Sequence, residues 1–211
     1  ALADRMNAAL VLGLPLHTRT TTGDRYTNGA TVIHPGDTQP PLVPGHWHYD
    51  KHHLVPFGEF IPPGFHWFVR ALKIPLGDFN RGPLRQPPLL LDGQALAVDI
   101  CYEDTFGEEI AASVRPDDTG APGASILVNL SNLAWFGNTW ALRQHLWIAR
   151  MRALETARPV IRSTNTGMTA AIDPTGEVRG MLDPAVPGVL DVEVQGTQGL
   201  TPYVRWGNGP I

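Results

Sequence analysis

The chain has one cysteine among its 211 residues, Cys101. It follows an apolar run at 95–100 and precedes Tyr-Glu-Asp and a stretch, 103–114, with helical patterning. A nucleophile at a strand-to-helix elbow is lifted out of the sheet and presented to substrate. Amide N–H groups at the start of the following helix favour the thiolate and can hold an oxyanion. The competing reading is a structural thiol, because free cysteine packs as a small hydrophobe. Lys51 is the second candidate, within Tyr-Asp-Lys-His-His-Leu-Val-Pro-Phe-Gly-Glu at 49–59. A lysine near a thiolate stabilises developing oxyanion charge or passes a proton, and Glu59 is spaced to hold it. Alone on a surface, the same lysine would be a solvated charge.

Histidines raise two further possibilities. His46, His48, His52 and His53 fall close together, which suggests a metal site. Against it, two of them lie in a Pro/Gly-rich loop, and adjacent His52 and His53 point to opposite faces of an extended segment. His145 could form a Cys–His dyad with Cys101. Its place on the apolar stripe of a helix favours a core or supporting role.

Positioning these groups requires an alternation of strands and helices. Residues 1–8 read as a helix tail, 9–16 as a buried strand and 25–34 as its hairpin partner. The stretch 35–48 is loop, and 49–55 is short and extended. A possible helical segment falls at 65–73. Residues 89–100 form a hairpin with Asp92-Gly93 at its turn. A strand at 124–130 follows. The clearest helix spans 139–157, with Leu142, His145, Leu146, Ala149, Arg150, Ala153 and Leu154 on one stripe and Pro159 as its stop. Strands at 159–164, 168–173, 177–181 and 189–194 complete the pattern. The expectation is a single α/β layered domain with mixed strand pairing.

Composition narrows the function. A chain that is 43% hydrophobic and 17% charged is neither disordered nor a solvated rod. The net charge of −4 argues against a nucleic-acid partner held through phosphates. A lone cysteine excludes an internal disulfide and an all-cysteine zinc site. Nothing here needs a cofactor or a metal. No run of about 18 apolar residues is present, so no transmembrane helix is expected within the chain. The opening Ala-Leu-Ala-Asp carries no signal sequence and reads as the middle of a helix, so a fragment of a longer protein is expected. Aromatics are unevenly spread. Phe57, Phe60, Phe65, Trp67, Phe68 and Phe79 crowd a segment too rich in Pro and Gly to be all core. Such rings suit a lipid interface. Trp135, Phe136, Trp140 and Trp147 follow the 124–130 strand and are expected to be core.

Several ordered segments together resemble the nitrilase, or carbon–nitrogen hydrolase, superfamily, and more closely its apolipoprotein N-acyltransferase branch. They are the Lys51 segment through Phe-Ile-Pro62, Ile-Cys-Tyr-Glu-Asp-Thr-Phe at 100–106, and Asn-Leu-Ser-Asn-Leu-Ala-Trp-Phe-Gly at 129–137. Gln-His-Leu at 144–146, Arg-Ala-Leu-Glu at 152–155, Arg-Pro-Val-Ile-Arg-Ser-Thr-Asn-Thr-Gly-Met-Thr-Ala at 158–170 and Gly-Leu-Thr-Pro-Tyr at 199–203 complete the set.

The resemblance implies an α-β-β-α sandwich, here without its first strands, and a Glu–Lys–Cys triad. Cys101 would be the nucleophile, Lys51 the triad lysine and Glu59 an additional glutamate beside the site. Tyr102 and Glu103 would flank the nucleophile at the oxyanion hole. The family enzyme is a bacterial inner-membrane protein whose catalytic domain faces the periplasm. It moves an acyl chain from a phospholipid of the phosphatidylethanolamine type to the N-terminal diacylglyceryl-cysteine amine of an apolipoprotein. The partners implied are therefore a phospholipid donor, an apolipoprotein acceptor and a membrane surface.

Two departures stand out. No glutamate precedes Lys51, so the triad glutamate is expected upstream of residue 1 and the isolated chain is expected to be inactive. Leu133 stands where the family often has Asp. Two other functions stand beside this one: a soluble amidase of the same superfamily acting on a small amide, and a non-catalytic lipid- or lipoprotein-binding module.

Overall fold

The computed structural model describes residues 2–21, 23–38, 45–64, 78–117 and 120–209. The chain divides into two compact units, Ala1–Leu84 and Arg85–Ile211.

The first unit opens with a short helix, α1 (Leu2–Met6), and continues as an antiparallel sheet ordered β1-β2-β3. β1 (Leu10–Thr20) and β2 (Gly23–Ile33) pair along their whole length, from Leu10 opposite Ile33 to Thr20 opposite Gly23. The sequence places the first strand at 9–16. It runs four residues further because His17, Thr18, Arg19 and Thr20 continue the ladder, opposite Tyr26, Arg25, Asp24 and Gly23. β3 (His48–Asp50) pairs with β2 through Gly29–Asp50, Ala30–Tyr49 and Thr31–His48. Gly29 is required at this crossing, because a Cβ there would lie 2.5 Å from the Tyr49 carbonyl oxygen.

The second unit is a six-stranded mixed sheet ordered β4-β5-β6-β7-β8-β9. β4 (Leu89–Leu91) and β5 (Gln94–Ile100) form the expected hairpin. Asp92 and Gly93 both take positive φ, 47° and 75°, as the right-handed twist of a two-residue hairpin demands. β5, β6 (Ile126–Ser131) and β7 (Val160–Thr164) run parallel. β8 (Ala170–Ile172) and β9 (Val178–Met181) return antiparallel. The crossovers carry α2 (Gly107–Val114) and α3 (Trp140–Thr156), and α4 (Pro202–Trp206) lies near the end of the chain. Ile110, Ala111 and Val114 of α2 bury with Leu146, Ala149 and Ala153 of α3, Leu127, Val160 and Ile172 of the sheet, and Val204 of α4. This apolar layer fixes the helices against one sheet face.

Three local expectations change. The helix expected over 103–114 is broken: a 3₁₀ turn, Cys101–Thr105, comes first, and α2 starts only at Gly107. A Cβ at Gly107 would lie 1.8 Å from an Arg152 guanidinium nitrogen, so the small residue lets that side chain pass. On α3, Arg150 and Leu154 are exposed, whereas Arg152 and Thr156 are buried. The 189–194 segment alternates in burial but joins no ladder. Leu190 and Val192 pack beside Gly180 of β9 through their side chains.

Candidate active site

Cys101 stands at the carboxyl end of β5, where the parallel strands β5, β6 and β7 all terminate. Ligands of open α/β sheets bind at such ends. Its φ of +62° is unusual for a residue with a Cβ and typical of a nucleophile elbow. The residue is 8% exposed. Glu103 folds back to accept the Ile100 N–H at 2.8 Å, which caps the 3₁₀ turn. Tyr102 is half-buried, with its ring tilted on Phe106.

Beneath the elbow lies a buried polar row. Strand register places Asp99, Asn129 and Arg162 side by side on β5, β6 and β7. Each is at most 6% exposed. Asn129 Nδ2 donates to Asp99 Oδ1 at 2.5 Å and to the Cys101 carbonyl at 2.9 Å, while Ser131 Oγ donates to Asn129 Oδ1 at 2.7 Å. From α3, His145 Nε2 lies 3.1 Å from the Cys101 carbonyl and 3.0 Å from Asp104 Oδ1. An Arg162 Nη2 lies 2.8 Å from His145 Nδ1, and Nη1 donates to Asp104 Oδ2 at 3.3 Å. Burial, reinforced by the Asp104 charge, pushes the Asp99 carboxyl well above the usual carboxylate range. Burial lowers the Arg162 guanidinium from its ordinary value, but a guanidinium stays charged in proteins. His145 therefore meets the backbone of Cys101, which agrees with a supporting role.

The first unit builds a second constellation. The Lys51 N–H donates to Asn28 O at 2.8 Å, and the Gly82 N–H donates to Lys51 O at 2.9 Å. A Cβ at Gly82 would lie 2.0 Å from the Asp50 carbonyl oxygen, so glycine is needed for this approach. Lys51 is 1% exposed, and its Nζ donates to both Glu59 oxygens, at 2.9 and 2.8 Å. Glu59 also accepts from Asn28 Nδ2 at 2.5 Å and from the Val55 N–H at 2.7 Å. With four hydrogen bonds from three donor groups converging on it, Glu59 serves as a bracket for the lysine. Asn28, Asp99, Asn129, Asp104 and Arg162 were not singled out from sequence as site residues. Asp99 and Arg162 carry a signal, since a charge inside a strand otherwise read as buried requires a partner.

The other candidates divide. Among the described residues, no group of three or more His, Cys, Asp or Glu side chains is arranged to hold a metal. His52 Nδ1 instead lies 2.7 Å from the Gly82 carbonyl. Phe57 is 44% exposed, and the Arg81 guanidinium sits 4.8 Å over the Phe60 ring. Phe65, Trp67 and Phe68, and the possible helix at 65–73, lie outside the described residues. Trp135, Phe136, Trp140 and Trp147 are exposed, contrary to the core expected of them. They occupy the 3₁₀ turn Ala134–Phe136 and the outer face of α3. Leu133 is buried, and its N–H donates to Asn165 Oδ1 at 3.3 Å. Among the described residues, no helix is long and apolar enough to cross a membrane.

Comparison with known proteins agrees with this geometry. Residues 1–203 match the carbon–nitrogen hydrolase family. The apolipoprotein N-acyltransferase of Bordetella bronchiseptica is 52% identical over 99% of this chain and 39% of its own length. That of Ralstonia nicotianae is 56% identical over 88% of this chain and 34% of its own. The chain thus spans roughly two-fifths or less of these relatives. Among solved structures, a carbon–nitrogen hydrolase from Helicobacter pylori shares the fold, with a TM-score of 0.58, 20% identity, and coverage of 86% of this chain and 60% of that one. The chain belongs to the carbon–nitrogen hydrolase family.

Proposed function

We propose that residues 1–211 form a catalytic portion of an N-acyltransferase that acts at a bacterial membrane. It moves an acyl chain from a phospholipid, through a thioester on Cys101, to the N-terminal diacylglyceryl-cysteine amine of an apolipoprotein. The observation that carries this reading is the strained Cys101 elbow at the carboxyl end of β5, its carbonyl fixed by two side chains. The names of the relatives support the acceptor.

The chemistry proceeds in two steps. The Cys101 thiolate attacks a phospholipid ester carbonyl. The tetrahedral oxyanion collapses, the lysophospholipid oxygen leaves with a proton, and the acyl group remains on sulfur. The acceptor amine then attacks the thioester carbonyl, loses its proton and expels the thiolate. The amides at Cys101 and Tyr102 serve the oxyanion in this reading, and the resemblance to the family assigns Lys51, bracketed by Glu59, to the same task. Each such donor typically contributes about 3 kcal/mol to the transition state. Glu59 already accepts four hydrogen bonds, so we assign the acceptance of the thiol proton to another carboxylate. The exposed Phe57 belongs to a lipid-facing loop in this reading.

The test uses the full-length protein in vesicles of phosphatidylethanolamine carrying a labelled acyl chain. The acceptor is a peptide with an N-terminal diacylglyceryl-cysteine. Label is expected in an amide of the peptide, and both Cys101→Ala and Lys51→Met are expected to stop its transfer. Ammonia release from small amides with no labelled peptide would replace this reading with that of an amidase.

A further inference from the structure

Around the Cys101 carbonyl, Asp104 and His145 join Arg162 of the polar row in a cluster that the reaction above leaves without a task. All are buried, and they bond one another and the Cys101 carbonyl. Their hydrogens can be assigned by elimination. A guanidinium only donates, so His145 Nδ1 must accept from Arg162. The ring proton then sits on Nε2, facing two acceptors, the Cys101 carbonyl and Asp104 Oδ1. Asp104 receives charge from Arg162 on its other oxygen. The arrangement fixes one tautomer and one ring orientation.

The consequence passes through the peptide plane. The Cys101–Tyr102 peptide is trans, so its N–H points opposite its C=O. His145 and Asn129 draw the carbonyl inward, toward the sheet and α3. The Tyr102 N–H is thereby turned the other way, out of the polar row. Cys101 lies at positive φ, a conformation that the chain leaves readily unless it is held.

We propose that Asp104, His145 and Arg162 form a positioning relay that aims the Tyr102 amide as an oxyanion donor, with His145 acting as a neutral Nε2–H donor to the Cys101 carbonyl. These are positioning residues: none need touch the substrate. The relay rests on the acyl-transfer reading only in that the reaction passes through an oxyanion at Cys101.

The test separates reactions with and without an oxyanion. The full-length protein is acylated in single turnover, once by phosphatidylethanolamine vesicles and once by a p-nitrophenyl ester. In parallel, Cys101 is alkylated by iodoacetamide, a displacement at carbon that creates no oxyanion. In His145→Gln the amide nitrogen can reach the carbonyl that Nε2 bonded; in His145→Asn it falls one methylene short. His145→Asn is expected to lower acylation by about 100-fold, the loss typical of one oxyanion donor. Its alkylation rate and the pH profile of that rate should stay as in the wild type. His145→Gln is expected to recover most of the acylation rate. Where His145→Asn does not fold, Arg162→Lys, which keeps the charge beside Asp104 but loses the fork, is expected to show the same split. Parallel loss of acylation and alkylation, a displaced alkylation pH profile, or equal rates for the Gln and Asn variants would overturn the relay. A wild type acylated by the p-nitrophenyl ester but not by phospholipid would overturn the donor assignment alone, because the His145 comparison still runs on the ester. A wild type acylated by neither would overturn both.

Discussion

Replacing Glu59 with Gln tests the view that this carboxylate is a bracket for Lys51. Each Glu59 oxygen accepts two hydrogen bonds, one from Lys51 and one from Asn28 or Val55. The amide group of Gln turns one acceptor into a donor, so two of the four bonds are lost whichever way it is oriented. The same change leaves the Lys51 ammonium, 1% exposed, with no opposing charge from Glu59. Stranding one member of a buried pair costs about 3–5 kcal/mol. Each unmatched buried donor costs about 1–3 kcal/mol, part of which is already contained in that figure. The net expectation is a loss of about 3–5 kcal/mol, centred on β2, β3 and the Lys51 loop. Hydrogen exchange of the full-length protein, read on peptides from 23–33 and 48–60, measures such local stability. At about 1.4 kcal/mol per tenfold, exchange there should quicken by at least roughly a hundredfold. Lys51→Met combined with Glu59→Gln removes the buried ammonium together with its opposing carboxylate and should recover a large part of the protection. Unchanged exchange in the single variant, or no recovery in the double, would refute the bracket.

Three further outcomes are expected. Gly82→Ala forces a Cβ to within 2.0 Å of the Asp50 carbonyl oxygen, so the Lys51 loop must shift. Overpacking of this kind costs about 1–3 kcal/mol, so hydrogen exchange of peptides from 48–60 should quicken while that of peptides from 94–100 does not. Asp99 has a pKa raised by burial above its unfolded value of 3.8. The folded state therefore binds the extra proton, and the stability this gives falls as pH rises from that value toward the folded pKa. Asp99→Asn keeps an acceptor for Asn129 and removes the titration, so in thermal melts its advantage over the wild type should widen with pH; parallel melting curves would count against it. Finally, Gly93→Ala places a Cβ residue at φ 75° in the β4–β5 turn. It should cost about 1 kcal/mol and lower the melting temperature without altering the acylation rate.

What the sequence made legible follows from the range of the forces involved. The C-terminal end of α3 could be placed because Pro159 acts within a turn of the helix. The β4–β5 hairpin could be placed because Asp92-Gly93 selects its turn locally. The Cys101 elbow showed as an apolar run that stops at a polar residue. The helix after it did not begin where its periodicity starts, because Glu103 turns back to cap Ile100 and tightens the first turn. The 189–194 segment alternates as a strand does, yet pairing depends on which strand edge it meets. Aromatic content alone does not say which side of α3 meets the sheet, so the exposure of the aromatics at 135–147 was not legible. Asn28 reaches Glu59 across 31 residues, and Arg162 reaches Asp104 across 58. Such pairings are set by strand order and register, which local patterning does not encode.

The central claim is that the Cys101 sulfur carries the acyl group. The most direct measurement is the intact mass of the full-length protein after incubation with phosphatidylethanolamine vesicles and no acceptor. The account requires the mass to rise by one acyl group, on the peptide that contains Cys101, with neutral hydroxylamine removing it and Cys101→Ala never acquiring it. An adduct that persists in Cys101→Ala or resists hydroxylamine, or transfer to the acceptor with no adduct at Cys101 at any time, would contradict it.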